Sequence, residues 1–398
     1  MVTRAEAEAS LKAAPWLQRL ETQKLLLVLE GAEGRTRAVG GSVRDTLMAH
    51  ARGNPDLDIA TELTPGEVVA RASAAGIAAY PTGIDHGTVT LKLGDETAEV
   101  TTLREDVETD GRHAVVRFGT DWVRDAERRD FTMNALYAGM DGTLFDPLGG
   151  LEDCLHARVR FIGDPDRRIA EDRLRVYRFF RFSASHGGER FDAAGLAACR
   201  LAAGTLASLS AERVGAEMLK LLAAPRVATT FRVMSEAGIL ELFEAAVGSL
   251  AAYETIAPTP QRSGRLALIV AASDADTLQT RWRLSNDTMG TARQTLAAAI
   301  LLEHGGFHEA VYRYGKVVHD AVAVAAALNG WTEDAVSEAH LRLEGTLVPS
   351  FPVSGADLVG LGFKPGPRLG AELNRLERLW IESGFALDRQ TLLDGMQH

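Results

Sequence analysis

The pattern of apolar and polar positions changes its character near residue 150. Before that point, short runs alternate between apolar and polar residues, as in TVTLKLGDETAEVTTLR at 88–104. Such alternation predicts strands, because successive side chains of a strand point to opposite faces. From residue 151 onward the apolar residues recur at helical spacing, as in AAGLAACRLAAGTLASLS at 193–210. The sequence therefore predicts an α/β (α+β) head with a small mixed sheet, followed by an all-α remainder.

Composition and charge narrow the class of protein. The chain has 398 residues, 46% hydrophobic and 24% charged, with a net charge of -11. This composition is typical of a globular protein with room for two or more domains. The acidic balance argues against a surface that is basic everywhere, but it allows a local basic cleft for nucleic acid. The apolar run LLLVL near the amino terminus is too short for a signal sequence or a membrane span, so we expect a cytoplasmic protein.

A glycine pair marks the first candidate site. The stretch RTRAVGGSVRDTLMAH at 35–50 predicts a strand that ends at Val39, a turn at Gly40 and Gly41, and a helix from about Ser42. The amide groups at the start of such a helix can bind an anion, and Arg44 can add charge-assisted hydrogen bonds to a phosphate. A tight connection with no ligand is the alternative interpretation.

Acidic residues supply the second candidate site. In NPDLDIAT at 54–61, a strand would place Asp56 and Asp58 on one face. Two such close carboxylates favour a divalent cation, and magnesium prefers oxygen ligands. The predicted hairpin around Gly94 and Asp95 places a third acid, Glu99, on a neighbouring strand. An exposed turn after the asparagine–proline pair and a solvated Glu99 remain the alternatives.

Two further stretches carry groups suited to a nucleotide. Arg128 and Arg129 suit a triphosphate, and Asp130 can accept hydrogen bonds from ribose hydroxyls. The stretch EDRLRVYRFFRF at 171–182 predicts one helix. That helix would carry its charged residues in a row along one face: Asp172, Arg175, Arg178 and Arg181. Solvated surface pairs are the alternative in both stretches.

The motifs occur in an order that resembles the class II tRNA nucleotidyltransferases, which include bacterial CCA-adding enzymes and poly(A) polymerase relatives. The resemblance rests on GGSVRD, DLDIAT, HGTVTL, EVTTLR, RRDFTMNALY, DPLGG, EDRLRVYRFFRF and SAERVGAEMLKLL. It implies a catalytic head over 1–150, a helical neck with a base template over 151–224, and a helical body and tail that bind tRNA over 225–398.

The resemblance also assigns roles to residues. It implies that Asp56 and Asp58 hold two Mg²⁺ ions and that Glu99 is a third catalytic carboxylate. It implies a flexible loop within 104–118 that contains Asp110 and Arg112 and helps to switch from C to A. The residues that it implies in nucleotide binding are Gly40, Gly41, Ser42, Arg44, Arg128, Arg129, Asp130, Glu171, Asp172, Arg175 and Arg178.

A protein template explains how bases can be selected without a nucleic-acid template. In the family the counterparts of Glu171, Asp172 and Arg175 form it. A carboxylate only accepts hydrogen bonds and a guanidinium only donates them. Cytosine and adenine each offer an amino donor beside a ring acceptor, whereas uracil and guanine offer a carbonyl and an N–H in those places. An Asp–Arg edge therefore suits C and A and leaves polar groups unpaired with U and G.

The expected activity is addition of C, C and A from CTP and ATP to the 3′ end of tRNA, with contacts to the acceptor arm. A poly(A) polymerase, a CC- or A-adding specialist and a non-catalytic tRNA-binding protein remain alternatives. The oligomeric state stays open. Candidate phosphate contacts in the helical half, each of which also suits an ordinary surface, are Arg313, Lys316, Lys364, Arg368 and Arg375.

The stretch SAERVGAEMLKLL at 210–222 is predicted to brace the template. Ser210 is expected to cap a helix, and Glu212 suits its first turn. Arg213 and Glu217 are four residues apart, so they are expected to pair along the same helix.

Overall fold

The computed structural model describes residues 2–50, 56–84, 87–109, 114–241 and 244–395. The chain forms two compact units. The first consists of Met1–Glu217 and Val233–Leu240, and the second of Met218–Arg232 and Glu241–His398. The predicted division into head, neck, and body with tail stays a prediction.

All strands in the described part of the chain precede residue 150. They are β1 (Thr36–Val39), β2 (Leu57–Thr61), β3 (Ala78–Gly83), β4 (Thr88–Leu93), β5 (Glu96–Thr102), β6 (Arg104–Thr109), β7 (Ala114–Phe118), β8 (Tyr137–Ala138) and β9 (Leu144–Phe145). The predicted change from a mixed head to an all-helical remainder is confirmed.

The helices occur in both units. They are α1 (Arg4–Lys12), α2 (Pro15–Gln18), α3 (Leu20–Val28), α4 (Gly41–Leu47), α5 (Pro65–Ala74), α6 (Trp122–Glu127), α7 (Gly150–Leu155), α8 (Pro165–Glu171), α9 (Arg175–Ser185), α10 (Ala193–Ala202), α11 (Ala211–Leu222), α12 (Ala228–Glu236), α13 (Glu244–Ile256), α14 (Arg262–Ala271), α15 (Ala275–Arg281), α16 (Asn286–Glu303), α17 (Phe307–Tyr314), α18 (Val318–Asn329), α19 (Glu333–Glu344), α20 (Gly355–Gly360), α21 (Pro367–Glu382) and α22 (Arg389–Asp394). Short 3-10 helices span Thr132–Asn134 and Ala203–Ser208. Among the described residues, no helix is both long and apolar enough to cross a membrane.

The first unit is built on a mixed sheet with the strand order β3-β4-β5-β2-β1-β8-β9. Strands β2 and β5 are parallel, and the other neighbours are antiparallel. Burial alternates along β5, where Ala98 and Val100 are buried while Glu99 is exposed. The hairpin predicted around Gly94 is confirmed, and this glycine has a positive φ of 59° that suits a tight turn.

The turn between β1 and α4 places the glycine pair at the carboxyl end of β1, an interior strand of the sheet. Strand β1 ends at Val39, as predicted, and the helix begins at Gly41, one residue before the expected Ser42. Gly40 has φ 75° and ψ −121°, a backbone conformation that residues with a Cβ rarely adopt. The chain can therefore reverse within one residue and place the start of α4 beside β2.

An apolar core under the sheet holds these elements in place. Val39 and Ala60 pack with Trp122, Ala126 and Tyr137, all of them at most 9% exposed. Trp122 and Tyr137 meet edge to face with ring centroids 5.4 Å apart. Because this core joins β1 and β2 to α6 and β8, it fixes the strand ends relative to the segment that follows α6.

The resemblance implies a flexible loop within 104–118, and the structure has two strands in this segment. Strands β6 and β7 form a two-stranded antiparallel ribbon there, separate from the main sheet. Irregular structure is therefore wrong for Arg104–Thr109 and Ala114–Phe118, where Val107, Val115 and Val116 favour β structure. The implied role of this segment in the switch from C to A stays a prediction. Asp110 and Arg112 lie outside the described residues.

The second unit consists of packed helices around its own buried groups. Arg265 is completely buried and donates to the carbonyl oxygens of Leu222 and Pro225 at 2.7 and 2.8 Å. It also pairs with Glu254 at 2.9 Å, so the buried cation is compensated. Near the carboxyl end, Trp380 anchors a separate apolar cluster between α20, α21 and α22.

Candidate active site

A cavity of about 400 Å³ lies in the first unit, within the size range of small-molecule sites. Its walls come from the β1–α4 turn, β2, the segment after α6, and the region from the end of α8 into α9. The lining residues are Gly40, Gly41, Arg44, Asp58, Arg129, Asp130, Asn134, Asp172, Arg175, Arg178 and Phe182. Residues predicted from four separate stretches of the sequence thus meet around one space.

The acidic corner of the cavity lies at the start of β2. Asp58 lies on β2 directly beside Glu99 of the parallel strand β5. Asp56 precedes the strand and is exposed. Burial, with help from Glu99 and Asp56, raises the pKa of Asp58 to about 6, although Arg129 and Arg44 act in the opposite direction. A cation bound here would relieve the crowding of negative charge.

The donor set at this corner fits a magnesium ion that is completed by substrate. In the part of the chain that the structure describes, no three His, Cys, Asp or Glu side chains form a ready-made metal site. Magnesium commonly binds through one or two carboxylates plus phosphate oxygens, rather than in an all-protein cage. Asp56 and Asp58 are the residues that would hold it, and the phosphate oxygens of a nucleotide in the cavity would supply further ligands.

Arg44 lies on α4, directly after the β1–α4 turn, and its side chain is held by two partners. Its guanidinium donates to Asp45 Oδ1 at 2.8 Å and to Asn134 Oδ1 at 2.6 Å. Asp45 also accepts from His186 Nε2 at 3.1 Å, while Ser185 Oγ lies 2.6 Å from His186 Nδ1. Burial lowers the pKa of His186, so the ring is neutral at neutral pH. Both of its nitrogens have hydrogen-bond partners.

The adjacent arginines are held by a carboxylate that the sequence analysis did not single out. Asp125 is 1% exposed and accepts from Arg128 at 2.6 Å, from Arg129 at 3.1 Å and from the Tyr137 hydroxyl at 2.9 Å. Although burial opposes ionisation, Arg129 and Arg128 lower the pKa of Asp125. Of the two arginines, Arg129 lines the cavity, whereas Arg128 does not.

Asp130 lies in the segment after α6 and connects this part of the cavity wall to α9. Its Oδ1 accepts from Asn134 Nδ2 at 3.0 Å and from the Phe131 amide at 2.8 Å. Its Oδ2 accepts from Arg178 at 2.6 Å. Burial opposes the negative charge, but Arg178 and these hydrogen bonds lower the pKa of Asp130. Because both oxygens already have protein partners, the predicted contact with ribose hydroxyls stays a prediction.

The helix predicted across 171–182 is interrupted, which corrects the expectation of one continuous row. Helix α8 ends at Glu171, Asp172 has extended backbone angles of φ −148° and ψ 105°, and α9 begins at Arg175. The side chain of Asp172 accepts a hydrogen bond from the Leu174 amide at 3.0 Å. Aspartate commonly forms such local bonds to the backbone, and they compete with helix formation. Asp172 and Arg175 nevertheless both line the cavity.

The two charged groups at this break are held separately. Arg175 donates to Glu171 at 2.8 Å and to the carbonyl oxygens of Arg168 and Arg128 at 2.7 and 3.0 Å. Glu171 thus contacts Arg175 but does not line the cavity. Asp172 accepts instead from Arg213 Nη2 at 2.8 Å.

The contacts of the bracing motif at 210–222 differ in part from the prediction. Ser210 accepts from the Arg213 amide at 3.3 Å, so the predicted cap is confirmed. The predicted Arg213–Glu217 pair is not observed, because Arg213 reaches Asp172 while Glu217 binds Arg181 at 2.5 Å. These charges therefore link α11 to the region around α9 rather than stabilising α11 alone.

One predicted residue does not line the cavity, and two residues that line it were not predicted. Ser42 is buried, does not line the cavity, and has an Oγ without a hydrogen-bond partner among the described residues. Asn134 and Phe182 line the cavity but were not predicted. Asn134 follows Asp130 by four residues within RRDFTMN, and this spacing is the signal that could have suggested their contact. Phe182 carried no polar signal, since it reads as one more apolar residue of a buried helix.

Comparison with known proteins agrees with this geometry. The Poly A polymerase head domain family matches residues 36–160, and the family described as the probable RNA and SrmB-binding site of polymerase A matches 191–245. The mitochondrial CCA tRNA nucleotidyltransferase 1 of Danio rerio is 33% identical over 376 residues, which cover 90% of this chain and 86% of that protein. This chain belongs to the CCA-adding tRNA nucleotidyltransferase family. The CCA-adding enzyme of Limosilactobacillus fermentum is 31% identical over 389 residues, covering 93% of this chain and 94% of that protein.

A solved structure extends this relationship to the fold. The crystal structure of the Bacillus stearothermophilus CCA-adding enzyme in complex with CTP superposes with a TM-score of 0.75 at 27% identity, over 92% of this chain and 94% of that one. The mixed sheet followed by helices is thus the fold of the CCA-adding family, as the resemblance implied.

Proposed function

We propose that this protein adds C, C and A to the 3′ end of tRNA, using CTP and ATP and releasing pyrophosphate. Its relatives named as CCA-adding enzymes support this activity, and they align with nearly the whole chain. The observation that carries the proposal is the single cavity in which Asp58, four arginines and Asp172 face one another. Such a cavity combines a metal-binding edge, phosphate-binding cations and a group that can accept from a base.

The acidic corner is the proposed reaction end. Asp56 and Asp58 would hold two magnesium ions, with Glu99 as a neighbouring third carboxylate. When bound, magnesium neutralises charge on the triphosphate and favours the ionised form of the attacking hydroxyl. The tRNA 3′-hydroxyl would attack the α-phosphate, lose its proton and displace pyrophosphate.

The proposed triphosphate-binding groups surround the β1–α4 turn. Gly40 has no side chain to obstruct phosphate, and an added Cβ would lie 3.8 Å from Asp58 Oδ2. Arg44 and Arg129 carry their charge at the cavity wall and are already oriented by Asp45 and Asp125. Preoriented guanidiniums need little reorganisation to bind a phosphate, which favours tight and specific binding.

The proposed base-reading edge is formed by Asp172 and Arg175. Asp172 would accept from the exocyclic amino group of cytosine or adenine, and Arg175 would donate to the ring nitrogen beside it. Uracil and guanine would place acceptor against acceptor and donor against donor. Each buried polar group left unpaired in this way costs about 1–3 kcal/mol.

The tRNA body is proposed to contact a basic groove in the second unit. The groove has a volume of about 790 Å³ and includes Lys364, Arg368, Arg375 and Arg378 beside the apolar Phe363. Cations beside an apolar surface suit the phosphates and sugars of duplex RNA, which is recognised mainly by shape and backbone. Arg375 is partly committed, since it pairs with Glu372 at 2.6 Å. The cytoplasmic location stays a prediction.

The activity is tested with a tRNA transcript that lacks its last three nucleotides. The purified protein is incubated with this transcript, magnesium and each ribonucleotide alone, then with CTP and ATP together, and the products are sequenced. We expect addition of CCA and then a stop. Asp56→Ala combined with Asp58→Ala should abolish extension, whereas Asp95→Ala, which removes an exposed carboxylate from the β4–β5 turn, should not.

Other outcomes would identify a related activity or contradict the proposal. Long A tails would identify a poly(A) polymerase, which the named head-domain family also includes. Products ending in CC, or a single A added only to a CC end, would identify a specialist enzyme. Tight tRNA binding without any extension would support a non-catalytic RNA-binding protein.

A further inference from the structure

The carboxylate of Asp172 is held from two directions at the wall of the cavity. Its Oδ1 accepts from the Leu174 amide at 3.0 Å, and its Oδ2 accepts from Arg213 Nη2 at 2.8 Å. Arg213 lies on α11, 41 residues further along the chain, and it is not a lining residue. Each carboxylate oxygen offers about two acceptor sites, so both oxygens keep capacity for a ligand.

We propose that Arg213 is a positioning residue that sets base specificity by fixing the carboxylate plane of Asp172. The inference rests on the proposed function and deepens it, because it concerns the selection of C and A over U and G. Arg213 would not touch the nucleotide. It would act only through Asp172.

The need for such a residue follows from the freedom of an aspartate side chain. Rotation about the terminal bond of aspartate is broad, so a single donor leaves the carboxylate free to turn. A second donor on the other oxygen limits this rotation. Acceptance of cytosine does not require a rigid carboxylate, because Asp172 can rotate toward an amino group. Rejection of uracil does require one, because a free carboxylate can turn away from the base carbonyl and relieve the repulsion.

The two members of the base-reading edge differ in how firmly they are held. Arg175 has three acceptors, Glu171 and two backbone carbonyl oxygens, and its side chain is 14% exposed. Asp172 and Arg213 are 33% and 45% exposed, and an ion pair this exposed contributes little to stability. Loss of the Arg213 side chain should therefore free Asp172 without unfolding the protein.

Selectivity between nucleotides is the decisive measurement. For wild type and Arg213→Ala, kcat/KM is measured with CTP and with UTP on tRNA that lacks CCA. We expect the CTP-to-UTP ratio to fall about tenfold, as one misplaced hydrogen bond implies. The loss should come mainly from faster use of UTP. Arg213→Lys keeps a donor of the same charge and should restore part of the ratio.

A matched control separates this effect from the loss of any exposed ion pair. Arg293 is 47% exposed and donates through Nη2 to Asp276 at 2.6 Å in the second unit. Arg293→Ala should leave both the nucleotide ratio and the melting temperature close to those of wild type. Arg213→Met, which keeps an apolar stem of similar length, carries the same expectation as Arg213→Ala and replaces it if the alanine variant does not fold.

A double-variant cycle tests whether Arg213 acts through Asp172. Asp172→Ala combined with Arg213→Ala should be no less selective than Asp172→Ala alone, because the residue being positioned is already absent. Additive losses would overturn the inference. An unchanged ratio in Arg213→Ala, or an equal loss of activity with both nucleotides, would also overturn it while leaving the proposed function intact. Failure of the wild-type protein to extend tRNA would instead contradict the proposed function.

Discussion

The substitution Asp58→Asn is expected to stabilise the metal-free protein above pH 6 while abolishing activity. Burial and the neighbouring acids Glu99 and Asp56 raise the pKa of Asp58 from its ordinary 3.8 to about 6. Asparagine has nearly the same shape but carries no charge. The substitution therefore removes the repulsion that a bound cation would otherwise relieve.

The direction and size of the effect follow from proton linkage. The folded protein binds the Asp58 proton more tightly than the unfolded chain, so the free energy of unfolding falls as pH rises from about 4 to about 6. Since one pKa unit corresponds to about 1.4 kcal/mol, the rise from 3.8 to about 6 corresponds to about 3 kcal/mol. At pH 7.5 Asp58→Asn should be more stable than wild type by up to this amount. Below about pH 4, where Asp58 is protonated in both states, the two proteins should be equally stable.

Thermal unfolding in EDTA, followed by circular dichroism at several pH values, measures this difference. A gain of about 3 kcal/mol should raise the transition of the first unit by about 6–12 °C at pH 7.5. Magnesium should raise the melting temperature of wild type but not that of the variant. Asp95→Asn, at an exposed site in the turn between β4 and β5, is the control and should show neither effect. The reasoning is refuted if Asp58→Asn is less stable than wild type at pH 7.5, or if both proteins depend on pH alike.

Three further predictions concern the binding groups. Asp125→Ala should lower the free energy of unfolding by about 3–5 kcal/mol in urea denaturation, because two arginines lose a buried partner; a loss below about 1 kcal/mol would contradict this role. Gly40→Ala should lose extension activity and about 1–3 kcal/mol of stability, because Gly40 has a φ of 75°. Gly41→Ala should fold normally, because its added Cβ would lie an ordinary 3.9 Å from the nearest atom. Equal stability of the two variants would refute the strain argument. Lys364→Ala should weaken tRNA binding and reduce the slope of log affinity against log salt by about 0.7–0.9 if the lysine contacts one phosphate; an unchanged slope would exclude that contact.

Local signals predicted most of the head because each carried its own physical cause. Strand β1, the glycine turn and α4 follow one another as the sequence indicates, since Gly40 allows the reversal. The alternation in 88–104 correctly separated Glu99 from the buried Val100. The break at Asp172 was missed, because helical spacing continues through it, whereas the side chain of Asp172 accepts from the Leu174 amide and so competes with the helix. Helical periodicity does not reveal such local competition.

Side chains that hold other side chains were the hardest part of the site to predict. Asp125 lies three and four residues before Arg128 and Arg129, so helical spacing could have suggested these pairs. Its burial and its contact with the Tyr137 hydroxyl have no such local signal. The Arg213–Asp172 pair spans 41 residues, whereas the local rule predicted Arg213 with Glu217. Spacing rules apply within one helix. They do not extend to contacts created by the packing of separate helices.

The charges around the cavity are arranged asymmetrically, and this arrangement is consistent with the position of the proposed metal site. The cavity arginines have acid partners within the protein: Arg44 with Asp45, Arg129 with Asp125, Arg175 with Glu171, and Arg178 with Asp130. These acids fix the guanidiniums before substrate binds and compensate their charge. Asp58, by contrast, has no ion-pair partner among the described residues, and its nearest strand neighbour is another acid. The charges at the proposed nucleotide-binding end are therefore compensated within the chain, whereas the proposed reaction end would need a cation from solution.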